Sequence, residues 1–263
     1  MEKIVYLLIV FSLTVTFLFL ILYLYLIPKT FYKFMKKIKN PTKKDRILVL
    51  APHPDDEALA CFGYLSRAVK NKAKIRIVVL TDGYFTAKPE IRYKESLTTL
   101  SQAGIDKKDV YFLGFRDTKL RKISFCSDVI KKIISSFKPT IIFCPSVYDF
   151  NTDHRATYYN LKKAIEKNSK IKIYYYLIHY NKPIYLLPTG LKQNYFLYPP
   201  TNLIFNNDIE WFKLELKEKE VKTKHEAIMN YKSQLRMFLF KSRRTLLSFI
   251  RRNELFYCEK INN

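Results

Sequence analysis

Residues 46–57 read RILVLAPHPDDE. Ile47-Leu48-Val49-Leu50 is an apolar run without alternation, the pattern of a parallel strand buried on both faces. The polar stretch Pro52–Glu57 ends it. Ala58, Leu59, Cys61, Phe62, Leu65, Ala68 and Val69 then follow at helical spacing. Strand, polar turn and helix in that order form the repeating unit of an α/β fold. The unit recurs downstream, with strands predicted over 75–80, 110–113, 140–144 and 172–178. Helices are predicted over 90–103, stopped by Gly104, and over 122–137 and 154–167. Beyond these, 181–208 is rich in Pro and Asn and reads as irregular, and helices are expected over 211–232 and 235–257. The expectation is a three-layer Rossmann-like α/β fold with a mostly parallel sheet. Such sheets bind ligands beyond the carboxyl ends of their strands. Polar clusters fall at those ends: 53–57, 81–83, 114–117, 145–154 and His179-Tyr180-Asn181.

Upstream of this domain, Ile4 to Ile27 is an uncharged apolar run whose polar members are Ser12, Thr14, Thr16 and the tyrosines Tyr6, Tyr23 and Tyr25. At about 1.5 Å per residue it is long enough for a hydrocarbon core of about 30 Å. The tyrosines lie near its ends, where amphipathic rings prefer the interface. No small-residue cleavage site follows, which favours a retained anchor over a signal peptide. The flank after the span carries Lys29, Lys33, Lys36, Lys37, Lys39, Lys43, Lys44 and Arg46 against Asp45. The positive-inside bias therefore places the bulk of the chain in the cytoplasm. This divides the chain into a transmembrane anchor (1–28), a basic juxtamembrane linker (29–45), the α/β domain (46–235) and a basic amphipathic tail (236–263).

The whole chain of 263 residues has a formal net charge of +24. Residues 28–46 and 211–263 contribute +7 each, so more than half of the excess lies toward the two ends of the chain. That distribution suits an anionic leaflet, and no nucleic-acid motif accompanies it. The tail segment Lys241-Ser242-Arg243-Arg244, with Arg251 and Arg252, punctuates Leu246, Leu247, Phe249 and Ile250 in a manner suited to a membrane surface. Cys61, Cys126, Cys144 and Cys258 are widely spaced, with no CxxC pair, and read as reduced thiols.

His53, Asp55 and Asp56 share one tight loop. Imidazole and carboxylate suit Zn²⁺, and a catalytic zinc needs three protein ligands with one open position. Adjacent carboxylates do not readily reach one ion, so one binds while its neighbour faces the water. The third ligand is expected from Asp149-Phe150-Asn151-Thr152-Asp153-His154. Of the four histidines, His53, His154 and His179 follow strands, and His225 reads as a surface residue of a charged helix.

APHPDDE at 51–57 resembles the signature of the PIG-L/LmbE-like zinc de-N-acetylases. Thr81-Asp82-Gly83, Arg92-Tyr93-Lys94-Glu95, Phe112–Asp117, Asp153-His154-Arg155-Ala156-Thr157 and Tyr231-Lys232-Ser233-Gln234 extend the resemblance over roughly 46–235. It implies that His53, Asp56 and His154 hold Zn²⁺ and that Asp55 is the general base. Glu57 would orient the loop, with Asp82, Asp117 and Asp153 as supporting partners of sugar or ligand rings. Arg92, Arg116 and Arg155 would contact substrate. The family's H-x-D-H element reads Asn151-Thr152-Asp153-His154 here, so a histidine tied to oxyanion or acid chemistry is replaced by Asn151. An amide donates a hydrogen bond and delivers no proton at neutral pH. His179 is the residue placed to take that role, with Asn151 left for substrate contact. The implied reaction is removal of an N-acetyl group from a GlcNAc-containing conjugate, lipid-linked or inositol-linked, by a membrane protein. A non-catalytic or degenerate membrane-surface binder retaining the fold is the alternative.

Overall fold

The computed structural model describes residues 2–166, 169–180, 196–236 and 246–260. The chain opens with helix α1 (Glu2–Ile21), a π-helical stretch (Leu22–Leu26) and α2 (Ile27–Phe34). No residue of α1 is buried, and by length and composition it is apolar enough to cross a membrane. The Thr14 and Thr16 hydroxyls donate to the carbonyls of Val10 and Ser12, so they need no outside partner.

The domain alternates strands and helices. In order come β1 (Lys36–Lys37), β2 (Arg46–Ala51), α3 (Asp56–Lys70), β3 (Lys74–Thr81), α4 (Pro89–Gln102), β4 (Val110–Phe115) and α5 (Cys126–Phe137). They are followed by β5 (Ile141–Pro145), α6 (Thr152–Ala164), β6 (Lys172–Tyr176), α7 (Thr201–Ile204), β7 (Ile209–Glu215), α8 (Glu218–Ile228), α9 (Lys232–Leu235) and β8 (Asn253–Glu259). The sheet order is β1-β7-β8-β6-β5-β2-β3-β4, parallel except for β8, which runs against both neighbours.

The continuous apolar run of β2 serves two cores. Ile47, Val49 and Ala51 pack with α3, α4 and α8 on one face, and Leu48 and Leu50 pack with α2, α5, α6 and α7 on the other. Helices thus cover both faces of a mostly parallel sheet, as expected. Cys61, Cys126 and Cys144 are buried free thiols, and Cys258 is half-buried and free.

Three expectations are corrected. The helix expected over 211–232 begins only at Glu218, because 209–215 is strand β7. Its Lys213 is buried, donating to Tyr32 O at 2.9 Å and standing 4.2 Å over the Tyr32 ring, so a lysine occupies a core position. The helix expected over 235–257 gives way to β8, whose Phe256 and Tyr257 are buried on opposite faces. The expected tail therefore contributes an interior strand. Residues 29–45 are no free linker either, since Tyr32, Met35 and Ile38 are buried and β1 extends the sheet. Asn181, Lys241, Ser242, Arg243, Arg244 and the side chain of Tyr25 lie outside the described residues, as does most of 181–208.

Candidate metal centre

Strand β2 ends in a loop pinned to the end of β3, where Pro52 O accepts from Thr81 N at 2.9 Å and from Thr81 Oγ1 at 2.7 Å. Pro52 and Pro54 restrict φ on either side of His53. Helix α3 then begins, with Asp56 and Glu57 in its first turn, where the helix dipole favours carboxylates. Across the sheet, β5 delivers Asp149 and the start of α6. Asn151 caps that helix, its Oδ1 accepting from Asp153 N and His154 N.

These elements bring His53, Asp56 and His154 together. His53 Nδ1 lies 3.2 Å from Asp56 Oδ2, His154 Nε2 lies 3.1 Å from the same oxygen, and the two nitrogens are 3.3 Å apart. A tetrahedral Zn²⁺ with bonds of roughly 2.0–2.2 Å needs ligand–ligand edges of roughly 3.3–3.6 Å. Three nearly equal edges close to that value, made by two imidazoles and one carboxylate, fit such an ion. All three residues are buried.

The remaining ring nitrogens are held by acids. Asp149 Oδ2 lies 3.0 Å from His154 Nδ1. Asp117 Oδ1 and Asp153 Oδ2 lie 3.3 and 3.6 Å from His53 Nε2. A proton on each outer nitrogen leaves the inner lone pair facing the centre, which is how supporting carboxylates orient metal ligands. Burial lowers the basicity of His154, but Asp149 and Asp56 more than offset it and raise its pKa to about 9. The same opposition, with Asp117, Asp153 and Asp56, lifts His53. Burial raises Asp149, and the His154 charge and hydrogen bond outweigh this to hold it at about 2. The centre is rich in carboxylates and short of cations, the condition a divalent ion relieves.

Asp55 stands beside this triangle. Its Oδ2 receives Arg92 Nη2 at 3.2 Å, and its backbone N–H donates to Glu57 Oε2 at 3.1 Å. Glu57 Oε1 in turn accepts from Ser96 Oγ at 2.6 Å and from the Tyr231 hydroxyl at 3.1 Å. Burial, only partly countered by Ser96 and reinforced by Asp55 and Asp56, pushes the Glu57 carboxyl up to about 7. Gly83 adopts φ +63°, and a Cβ there would lie 2.9 Å from Pro54 Cδ and 3.0 Å from Arg92 Nε, so glycine lets Arg92 reach the loop.

The other expected residues divide. Asp82 Oδ1 accepts from Asp117 N and Tyr84 N, so it supports Asp117, which supports His53. Asp153 also accepts from Thr118 N and Leu120 N, tying the loop after β4 to α6. Arg155 Nη1 donates to the carbonyls of Asp149 and Phe150. Arg116 lies on the exposed rim, 4.0 Å over the Tyr84 ring. Arg92 is buried, and its Nε and Nη1 meet no partner among the described residues. The His179 ring packs edge-on to His154 with centroids 4.9 Å apart, and burial followed by the His154 charge holds its pKa below the usual value. His225 is half-buried in α8. Sequence reasoning missed Asp149 as a ring partner. Its place directly after a strand, five residues before His154, was the available signal.

Residues 48–165 match the model of a family described as PIG-L, GlcNAc-PI de-N-acetylase. The chain carries a PIG-L family domain. Two curated relatives bear the name probable N-acetyl-alpha-D-glucosaminyl L-malate deacetylase 2. The one from Bacillus subtilis is 26% identical over 143 residues, 48% of this chain and 63% of the relative. The one from Bacillus cereus is 29% identical over 140 residues, 47% of this chain and 62% of the relative. The chain thus spans under two thirds of the length of either relative. Among solved structures, the conserved protein TT1542 from Thermus thermophilus shares the fold with 22% identity and a TM-score of 0.55, over 76% of this chain and 84% of that one. The N,N'-diacetylchitobiose deacetylase from Pyrococcus horikoshii does so with 20% identity and a TM-score of 0.54, over 80% and 79%.

Proposed function

We propose that this PIG-L protein is a membrane-anchored, Zn²⁺-dependent hydrolase that removes the N-acetyl group from a GlcNAc-type conjugate. The observation that carries the reading is the triangle of His53 Nδ1, Asp56 Oδ2 and His154 Nε2 with Asp55 beside it. Zn²⁺ held by those three atoms would supply Lewis-acid polarisation of the acetamide carbonyl and lower the pKa of water. Asp55 takes a proton from the attacking water as its oxygen bonds to the carbonyl carbon. The C–N bond then breaks, and Asp55 returns the proton to the departing amine, leaving acetate and a free amino sugar. Arg92 and Glu57 hold Asp55 for both transfers from its side-chain and backbone ends. Arg92 keeps Nε and Nη1 for a substrate oxygen. His179, held neutral, donates one ring N–H to the oxygen that gains charge, a role that Asn151 surrenders by capping α6.

The apolar α1 supports anchoring, and the lysines that follow it support a cytoplasmic domain. The test is acetate release from a panel of N-acetylated amino-sugar conjugates by the full chain in detergent with stoichiometric zinc. Asp55→Asn should keep the metal and lose turnover by about 10²–10⁴-fold. His53→Ala should lose both metal and turnover. Zinc binding without hydrolysis of any conjugate would overturn the enzymatic reading in favour of a degenerate binder.

A further inference from the structure

The strand-end face that carries the metal centre is collared by exposed aromatic and basic side chains that the centre does not use. Tyr84 and Phe85 follow β3, Phe125 precedes α5 and Phe150 follows β5, all of them exposed. The loops 82–88 and 116–125 bear Lys88, Arg116, Lys119, Arg121 and Lys122. Their two acids, Asp82 and Asp117, are engaged in the hydrogen bonds around His53. Exposed rings among basic residues are the composition of a surface that seats in lipid headgroups.

The apolar helix leaves the domain from this same edge. The Phe150 ring meets Tyr180 edge-on at 6.3 Å, just past the end of β6. Tyr180 donates to Asn202 Oδ1 at 2.6 Å, in α7, which packs against α2. Tyr32 of α2 sits against Lys213 in the middle of β7. The chain passes from α2 through Met35 into β1, which runs parallel to β7 toward the carboxyl edge. The apolar helix that precedes α2 therefore enters the domain from that edge.

We propose that the face formed by Tyr84, Phe85, Phe125 and Phe150 docks on the headgroup layer of the bilayer that α1 crosses, so that the metal centre opens onto the membrane surface. A lipid bilayer is the occupant because the collar is continuous with a helix long and apolar enough to cross one, and because its exposed charges are cationic. The inference rests on the anchored reading above and not on the hydrolytic one.

The test uses the full chain reconstituted into vesicles of phosphatidylcholine with phosphatidylglycerol. Environment-sensitive labels are placed at Phe85→Cys, Phe125→Cys and Phe150→Cys, and at Lys72→Cys and Lys138→Cys on the opposite edge of the sheet. The unsubstituted chain gives the background from Cys258. Labels at 85, 125 and 150 should be quenched by brominated lipids and shielded from iodide, and those at 72 and 138 open to iodide. Failure of the chain to float with the vesicles overturns the anchored reading and the docking with it. Flotation with 85, 125 and 150 as open to iodide as 72 overturns the docking alone. The measurement needs no substrate, so it stands apart from the outcome of the acetate assay, and three positions guard against one variant that fails to fold.

Discussion

Asp149→Asn separates a carboxylate that tunes a metal ligand from one that merely braces a loop. Asp149 is fully buried, accepts three backbone hydrogen bonds and makes an ion-pair contact with His154. Oδ2 serves His154 Nδ1, Ile178 N and His179 N, each at 3.0 Å, and Oδ1 serves Asn151 N at 2.9 Å. An amide has one acceptor oxygen. Placed at the Oδ2 position it keeps three partners, and its NH₂ then confronts the Asn151 N–H. One buried donor without a partner costs about 1–3 kcal/mol. The metal-free variant should lose that much stability in chemical denaturation. The lost negative charge also makes His154 a poorer ligand, and removing such a supporting partner weakens metal binding by about 10–100-fold. That corresponds to about 1.4–2.7 kcal/mol. Chelator competition on the purified full chain in detergent reads the second quantity independently of the first. A variant that is destabilised yet binds zinc within about twofold of the parent would refute the account of His154 and leave Asp149 as a loop brace.

Asp117→Asn should weaken zinc binding less than Asp149→Asn, because Asp153 also faces His53 Nε2 and stands in for it; a larger loss in the same competition assay would contradict that backup. Lys224→Met should cost about 3–5 kcal/mol by leaving the buried Glu254 charge unpaired. Those two groups meet at 2.7 Å, and the double variant Lys224→Met with Glu254→Gln should recover part of the loss on denaturation, since the neutral amide removes the unpaired charge and keeps an acceptor for the α3 N–H groups. Glu220 is raised by burial, but its bonds to Arg67 prevail and hold it below the ordinary 4.5. Its contribution to stability is therefore complete above 4.5 and lost as pH falls through its lowered folded value. Glu220→Gln should flatten the acid limb of the stability curve, and parallel limbs for parent and variant would show that the pair contributes nothing.

The part of the fold read most directly from sequence is the part whose information is local. Strand β2 is observed over the residues its apolar run marks, and His53, Asp55 and Asp56 sit in one loop because they are neighbours in the chain. His154 joins them because both loops follow strands adjacent in the sheet. Legibility fails where a side chain's partner is distant. Arg92 holds Asp55, 37 residues away in the chain, a second task that its place in the sequence does not show. Asn151, expected to contact substrate, has its side-chain oxygen engaged in capping α6. Lys213 and Glu254 disguised two strands, because buried charges satisfied by remote partners carry the same letters as solvated ones.

Strand β8 has a bearing on how the protein comes into being. It lies in the interior of the sheet, between β7 and β6, yet it is the last of the described strands to be synthesised. Until residues 253–259 emerge from the ribosome, β7 and β1 have no neighbour linking them to the rest of the sheet. The same strand supplies Glu254, whose carboxylate receives the Gly63 and Tyr64 N–H groups of α3, the helix that begins with Asp56 and Glu57. The loop that carries His53, Asp55 and Asp56 is therefore buttressed only after the last of the described strands has been made.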